Sequence, residues 1–255
     1  MRKNFLDLTQ TVFSRFNKNF QFKESDILIS SFPKSGRNWV LFLLANTMAG
    51  YGNYSIEINF HNRNQWIATD IPRHPPVNDF PRFFATHENY KGQSTKVIYL
   101  LRHPADVMIS YYDYLKNRWN KDVGNFSNFL QNSDYGLPAW IKHIKSWEEH
   151  WDILVKYEDL QFDTLSNLDS MMKVIGKEVN QNVMEVAIKK SSFENMKRIE
   201  EKNKLPSKLG ANSDYPFVRQ GKINKGKGIF SQEDYSYLSS IAGEIMEKYG
   251  YDIPK

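Results

Sequence analysis

The residues best equipped for chemistry begin with "PKSGRNW", Pro33 to Trp39, directly behind the apolar run "DILISSF". A loop between a buried strand and a helix N-terminus offers an anion several backbone N–H groups and the positive end of the helix dipole. Gly36 lets the backbone approach such an anion closely, Lys34 adds a point charge and Ser35 a hydroxyl. The loop differs from the nucleoside-triphosphate pattern G-x-x-x-x-G-K-[ST], because Lys34 precedes its glycine and the first glycine is missing. Taken alone, the fragment fits an anion-binding turn or a basic turn with a solvated lysine. The six histidines, His61, His74, His87, His103, His143 and His150, match no H-E-x-x-H or similar metal spacing. With no evident carboxylate cluster for magnesium, no metal is expected.

The elements that must position this loop follow from the apolar pattern. "DILISSF" from Asp26 reads as a buried strand and "GRNWVLFLLANTMAG" as a helix closing near Gly50. "STKVIYLLRHP" from Ser94 repeats the design: a strand, then Pro104 suited to a first helical turn, then the helical "ADVMISYYDYLKNRW". "WDILVKYEDL" from Trp151 supplies a third strand, followed by a helical "LSNLDSMMKVIG". Continuous apolar strands separated by helices imply an α/β fold: a P-loop-like parallel sheet with helices on both faces and ligands at the strand carboxyl ends. The segments Gly50 to Asn89 and "KLPSKLGANSDYPFVRQGKINKGKGIF" read as irregular, substrate-binding or lid loops. Residues 1–25, with Phe5, Leu8, Val12, Phe16 and Phe20 at helical spacing, read as an N-terminal helix packed on the core.

The 255 residues suffice for one domain, expected over 1–255. Absence of cysteine excludes disulfides and Cys-based zinc sites and favours a cytoplasmic setting. Polar residues interrupt the first thirteen positions too early for a signal-peptide core, and "WVLFLLANTMAG" is shorter than the roughly 20 residues a membrane span needs. The formal charge of +5 and pI near 9.1 suit an anionic ligand without choosing one.

At "PKSGRNW" the chain resembles the "PKSGTTW" loop of sulfotransferases that use 3′-phosphoadenosine 5′-phosphosulfate, departing from it at Arg37 and Asn38. The resemblance implies that the loop, with Lys34, Ser35, Gly36, Arg37 and Asn38, holds the 5′-phosphosulfate and that Lys34 is also catalytic; Trp39 is a flat ring on which, with the aromatics of the adenine region, a purine can stack. "YLLRHPADVMISYY" is similar to the family's second signature, implying that Arg102 and Ser110 bind the 3′-phosphate. The guanidinium fork of Arg102 matches phosphate geometry, and Ser110 lies about two helical turns on. "PRFFATHENY" resembles the segment carrying the family's catalytic histidine, which maps to His87. "LVKYEDL" and "SSFENM" resemble segments around the adenine, implying contacts from Tyr157, Ser192 and Phe193. "FVRQGKINKGKG" is similar to the C-terminal "RKGxxGDWK" stretch that closes over the 3′-phosphate; Arg219 and Gly221 match, Gln220 replaces a lysine, and Lys222, Lys225 and Lys227 supply charge where "GDWK" is absent. The resemblance spans about residues 26–228.

It implies sulfuryl transfer from that donor, with adenosine 3′,5′-bisphosphate as product, to a hydroxyl or amine of a small-molecule, sugar or lipid acceptor. His87 is then the general base, Lys34 stabilises the leaving oxygen, and Ser110 restrains Lys34 until the donor is in place. Trp66, Phe80, Phe83, Phe84, Trp119, Tyr135 and Trp140 are candidates for a flat or apolar acceptor site. Two other readings stay open: a nucleotide kinase, which shares the strand, loop and helix, and a nucleic-acid-binding module drawing on "KINKGKG". The lysines form no extended stripe with interleaved aromatics, so nucleic acid is not the expected partner.

Overall fold

The computed structural model describes residues 22–69, 71–203, 211–212, 214–216, 218 and 229–252. Four parallel strands form one sheet in the order β2-β1-β3-β4: β1 Ile27–Ser31, β2 Phe83–Thr86, β3 Lys96–Leu101 and β4 Ile153–Lys156. The register sets Ile27 opposite Phe83 and Lys96, and Leu101 opposite Lys156.

Side chains alternate across the sheet and divide the core in two. Ile27, Ile29, Phe83, Ala85, Ile98, Leu100 and Val155 face α1 (Arg37–Tyr51) and α7 (Thr164–Ile175). Leu28, Phe84, Val97, Tyr99 and Leu101 face α3 (Pro104–Asp113), α5 (Leu137–Trp147) and α10 (Gln232–Lys248). Both faces are therefore helix-covered, as uninterrupted apolar strands require. The short helices α2 (Arg63–Trp66), α4 (Phe126–Gln131) and α6 (Tyr157–Phe162), with α8 (Gln181–Lys190) and α9 (Phe193–Asn203), complete the described elements, and a π-helical turn, Tyr114–Arg118, extends α3.

Each of the three strands read from sequence is present, but Gly50 to Asn89 is not wholly irregular. It contains β2, an edge strand of only four residues closely preceded by Pro72, Pro75, Pro76 and Pro81. Its pairing with β1, rather than any alternation of its own, makes "FFAT" a strand. Asp26 anchors this edge: it accepts from Arg82 Nε at 2.7 Å and Nη2 at 2.6 Å and from Lys23 N at 2.8 Å. The N-terminal helix expected over 1–25 falls outside the described residues up to position 21; Phe22 packs against Phe84 with ring centroids 6.1 Å apart.

Candidate active site

The chain leaves β1 toward β2 on one side and leaves β3 toward β4 on the other, so the carboxyl ends of β1 and β3 flank the switch point where open α/β sheets bind ligands. Residues 32–36 turn there between β1 and α1. Lys34 has φ 70° and Gly36 φ 95°, both left-handed. Glycine takes this freely, whereas lysine does so at a cost of about 1 kcal/mol or more. A Cβ on Gly36 would also meet Cδ2 and Cε2 of Tyr157 well inside van der Waals distance. The absence of a side chain at Gly36 thus lets the loop backbone lie close against the Tyr157 ring.

The first turn of α1 carries no acidic residue, and its N-cap, Gly36, makes no side-chain cap. The leading amides of a helix lack intrahelical acceptors, so this end presents donors and a positive dipole. Among the described residues, the buried Ser35 Oγ has no hydrogen-bond partner, and neither does the buried Nε of Arg37. Orphaned donors at a helix start are what an oxyanion satisfies, and the loop fits the phosphosulfate group that the resemblance implies.

Arg102, the residue after β3, is buried; its Nη1 donates to the Lys34 carbonyl at 3.2 Å, tying the two strand ends together. Its guanidinium lies 4.3 Å from the Tyr157 ring centroid, and Nη2 stands 3.7 Å from the buried Asp106 carboxylate one turn on. Pro104 opens α3, and the His103 side chain accepts from Ala105 N at 3.2 Å, so the helix starts where Asp106 can reach back. Ser110 is buried two turns further on. Tyr114 lies one turn beyond Ser110, and the Lys34 ammonium rests 4.2 Å from its ring centroid. Tyr114 was not among the sequence candidates, although its i+4 spacing from Ser110 puts the two on one helix face.

His87 follows β2 and, through the β1–β2 register, stands beside Ser31. Its Nδ1 lies 2.7 Å from the Ser31 carbonyl and 3.3 Å from Ser31 Oγ. A carbonyl only accepts, so Nδ1 carries the proton and Nε2 the lone pair. Burial, the Arg37 guanidinium, then His143 and Lys34 hold the imidazole well below its usual pKa, against the opposing pull of the Ser31 carbonyl. Next to His87, α5 fixes the outgoing chain: Trp147 Nε1 donates to Glu88 O at 2.9 Å, and Tyr90 N donates to Ser146 Oγ at 3.1 Å. The buried His143 accepts from or donates to Tyr99 Oη at 2.8 Å, and burial lowers its pKa to about 3.

Asn38 and Trp39 point apart. Asn38 Oδ1 accepts a short hydrogen bond from Arg63 Nη1, while Trp39 meets Tyr157 edge to face, centroids 5.7 Å apart. Arg63, on α2, was not anticipated, and nothing in the local sequence marks it. Its Nη2 donates to Asn64 Oδ1 at 3.3 Å, and its Nε is buried without a partner. Burial lowers its pKa to about 10; burial and then Arg63 itself lower that of Arg37 to about 9, so both stay charged at neutral pH.

Phe193 starts α9, directly after Ser192. Ser192 Oγ accepts from Asn195 N at 3.2 Å as a helix cap, and Phe193 packs against the core. The adjoining Ser191 receives Asn46 Nδ2 at 3.0 Å, which ties the junction to α1. Tyr157 is buried, with Gly36, Arg102 and Trp39 against its ring, so it braces the loop. Of the aromatics considered for an acceptor, Trp66, Phe80, Phe83, Phe84 and Trp140 are core residues; Trp119 and Tyr135 are half-buried. Arg219, Gln220 and Gly221 lie outside the described residues. Among the described residues no group of three or more acidic or histidine side chains could hold a metal ion, and no helix is long and apolar enough to cross a membrane.

The sulfotransferase-domain family profile matches residues 24–250. Mouse sulfotransferase 2A1 is 25% identical over 245 residues, covering 89% of this chain and 86% of its own length. Mouse sulfotransferase 1A1 is 26% identical over 253 residues, with coverage of 90% and 87%. In fold, the chain is similar to mouse sulfotransferase SULT7A1 complexed with PAP, with a TM-score of 0.66, 22% identity, and coverage of 96% and 90%.

Proposed function

Because the chain belongs to the sulfotransferase family, we propose that it transfers a sulfuryl group from 3′-phosphoadenosine 5′-phosphosulfate to a hydroxyl or amine of a small-molecule, sugar or lipid acceptor. The observation that carries this reading is the joining of the two anion-binding elements: Arg102 bonds the carbonyl of Lys34, so a strand-end arginine and an uncapped helix start face one crevice. One nucleotide with a phosphosulfate at one end and a phosphate at the other spans such a pair. In this account Ser35, Gly36, Arg37 and Asn38 receive the phosphosulfate, with Trp39 and Tyr157 beside the loop. Arg102 and Ser110 receive the 3′-phosphate together with Arg219, Gln220 and Gly221, and Ser192 and Phe193 border the base.

The reaction is an in-line displacement at sulfur. His87 Nε2 takes the acceptor proton as the acceptor oxygen or nitrogen bonds to sulfur. The bond from sulfur to the 5′-phosphate oxygen breaks, and its electron pair stays on that oxygen as adenosine 3′,5′-bisphosphate departs. The Lys34 ammonium neutralises the charge developing there. Its rest position over Tyr114, one turn past Ser110, supports the idea that α3 parks Lys34 away from the bond until the donor arrives. The hydrogen bond to the Ser31 carbonyl supports His87 as base, since it leaves Nε2 unprotonated.

Transfer of radiolabelled sulfate from the donor into an acceptor library tests the roles. Wild type transfers label, whereas Lys34→Ala and His87→Ala lose at least about a hundredfold, the scale of a general base or a leaving-group cation. Undiminished transfer by His87→Ala removes the assigned base. A nucleotide kinase is the competing enzyme reading, and it predicts magnesium-dependent binding of ATP instead.

A further inference from the structure

We propose that the guanidinium of Arg63, beside that of Arg37, forms a subsite for an acidic group on the acceptor, so that the preferred acceptors are alcohols or amines bearing a carboxylate, sulfate or phosphate. This rests on the sulfuryl-transfer reading and adds the class of substrate.

The sheet order decides which side of the reaction Arg63 serves. Arg102 and Tyr157 follow β3 and β4, on one side of the Lys34 loop, whereas His87 follows β2 on the other. Arg63 belongs to the His87 side, because the chain just beyond α2 borders the outer edge of β2: Ala68 bridges Phe84, and Ala85 N donates to Ala68 O at 2.9 Å. Arg37 is near enough to Arg63 and to His87 to disfavour the charge on itself and on the imidazole. The nucleotide, reaching from Lys34 toward Arg102 with Arg37 at its phosphosulfate, leaves Arg63 beyond the transferring sulfur, beside the base that meets the acceptor.

Two like charges held together and partly withdrawn from water are a standing cost in the folded state. Among the described residues neither arginine joins an ion pair, and each has a buried Nε without a hydrogen-bond partner. Asn38 and Asn64 hold Arg63 through neutral side-chain oxygens, which fix its position and leave its charge uncompensated. A bound acceptor oxyanion satisfies the Nε of Arg63, and its planar fork suits carboxylate, sulfate and phosphate alike. The family loop places threonines where this chain has Arg37 and Asn38, so the charge and its support enter together at the point of departure.

The test uses full-length enzyme with saturating donor and a library of hydroxy and amino compounds, each supplied as the carboxylic acid and as its primary amide. Products are read by mass spectrometry, and affinity for adenosine 3′,5′-bisphosphate is measured by calorimetry for wild type, Arg63→Met and Arg63→Lys. Wild type is expected to favour the acid of each accepted pair by about tenfold or more in kcat/KM, the scale of one charge-assisted contact. Arg63→Met should bring acid and amide near parity with bisphosphate affinity within about twofold of wild type, and Arg63→Lys should recover part of the preference. Parity or amide preference in wild type, turnover of no pair, or an acid preference that survives Arg63→Met overturns the inference. A large loss of bisphosphate affinity in Arg63→Met overturns it too, by assigning Arg63 to the donor. Failure of wild type to bind the bisphosphate removes sulfuryl transfer itself, whereas bisphosphate binding without acid preference removes the acceptor assignment alone.

Discussion

A histidine is a useful base only if the right nitrogen is bare at the working pH. At His87 the Ser31 carbonyl selects the tautomer, and burial with the nearby cations keeps the ring neutral. The acidic limb of the kcat/KM profile should therefore fall below pH 6.5, the ordinary value of histidine. Among the neighbouring charges Arg37 depresses the ring most, so Arg37→Ala should shift that limb to higher pH whatever it does to the rate. A limb that stays put when Arg37 is removed contradicts this electrostatic assignment. Arg102 offers a second residue-scale test. Held by the Lys34 carbonyl, Asp106 and the Tyr157 ring, its fork is fixed before any phosphate arrives. Arg102→Lys keeps the charge but loses the fork, and calorimetry should show adenosine 3′,5′-bisphosphate binding weaker by about 1–3 kcal/mol.

Elements place these residues, and the loop between β1 and α1 depends on one position. Gly36→Ala puts a methyl group into the Tyr157 ring at φ 95°. Left-handed strain and overpacking together should cost about 2–4 kcal/mol, read by denaturant unfolding, with donor affinity falling as the loop shifts. Trp147→Phe should have a milder effect. It keeps most of the packing, leaves Glu88 O without its indole donor and loosens the segment after His87, costing about 1–2 kcal/mol of stability. The sequence disclosed elements of this kind unevenly. β1, β3 and β4 were legible because each is a continuous apolar run bounded by polar residues, and the loop because strand, glycine and helix are adjacent in the chain. β2 was not, since four residues among prolines become a strand only through a partner fifty-six positions away. The same limit hid Arg63, which meets Asn38 through the tertiary path of the chain, and Tyr114, whose lysine comes from another element. It also hid the packing of Tyr157 against Gly36 and Arg102, which come from other parts of the chain.

The whole molecule registers the same chemistry in its stability. His87 and His143 both have folded-state pKa values below that of a free imidazole. Below about pH 6.5 the unfolded chain takes up protons that the folded chain refuses, so stability falls as the pH is lowered, by up to about 1.4 kcal/mol per pH unit for each histidine. The His143 part extends down to about pH 3, and His143→Gln should flatten the slope of unfolding free energy between pH 6 and 4 relative to wild type. The central claim, that the crevice between β1 and β3 holds a 3′-phosphorylated adenine nucleotide through main-chain donors and cations, concerns the native state as a unit. Its most direct test is thermal unfolding with adenosine 3′,5′-bisphosphate in the presence of EDTA. At about a hundredfold excess over Kd the ligand should add about 2.7 kcal/mol, a rise in Tm of about 5–10 °C, and Arg102→Lys should lose about 1–2.4 kcal/mol of it. Stabilisation by ATP with magnesium, and none by the bisphosphate without metal, would contradict the account.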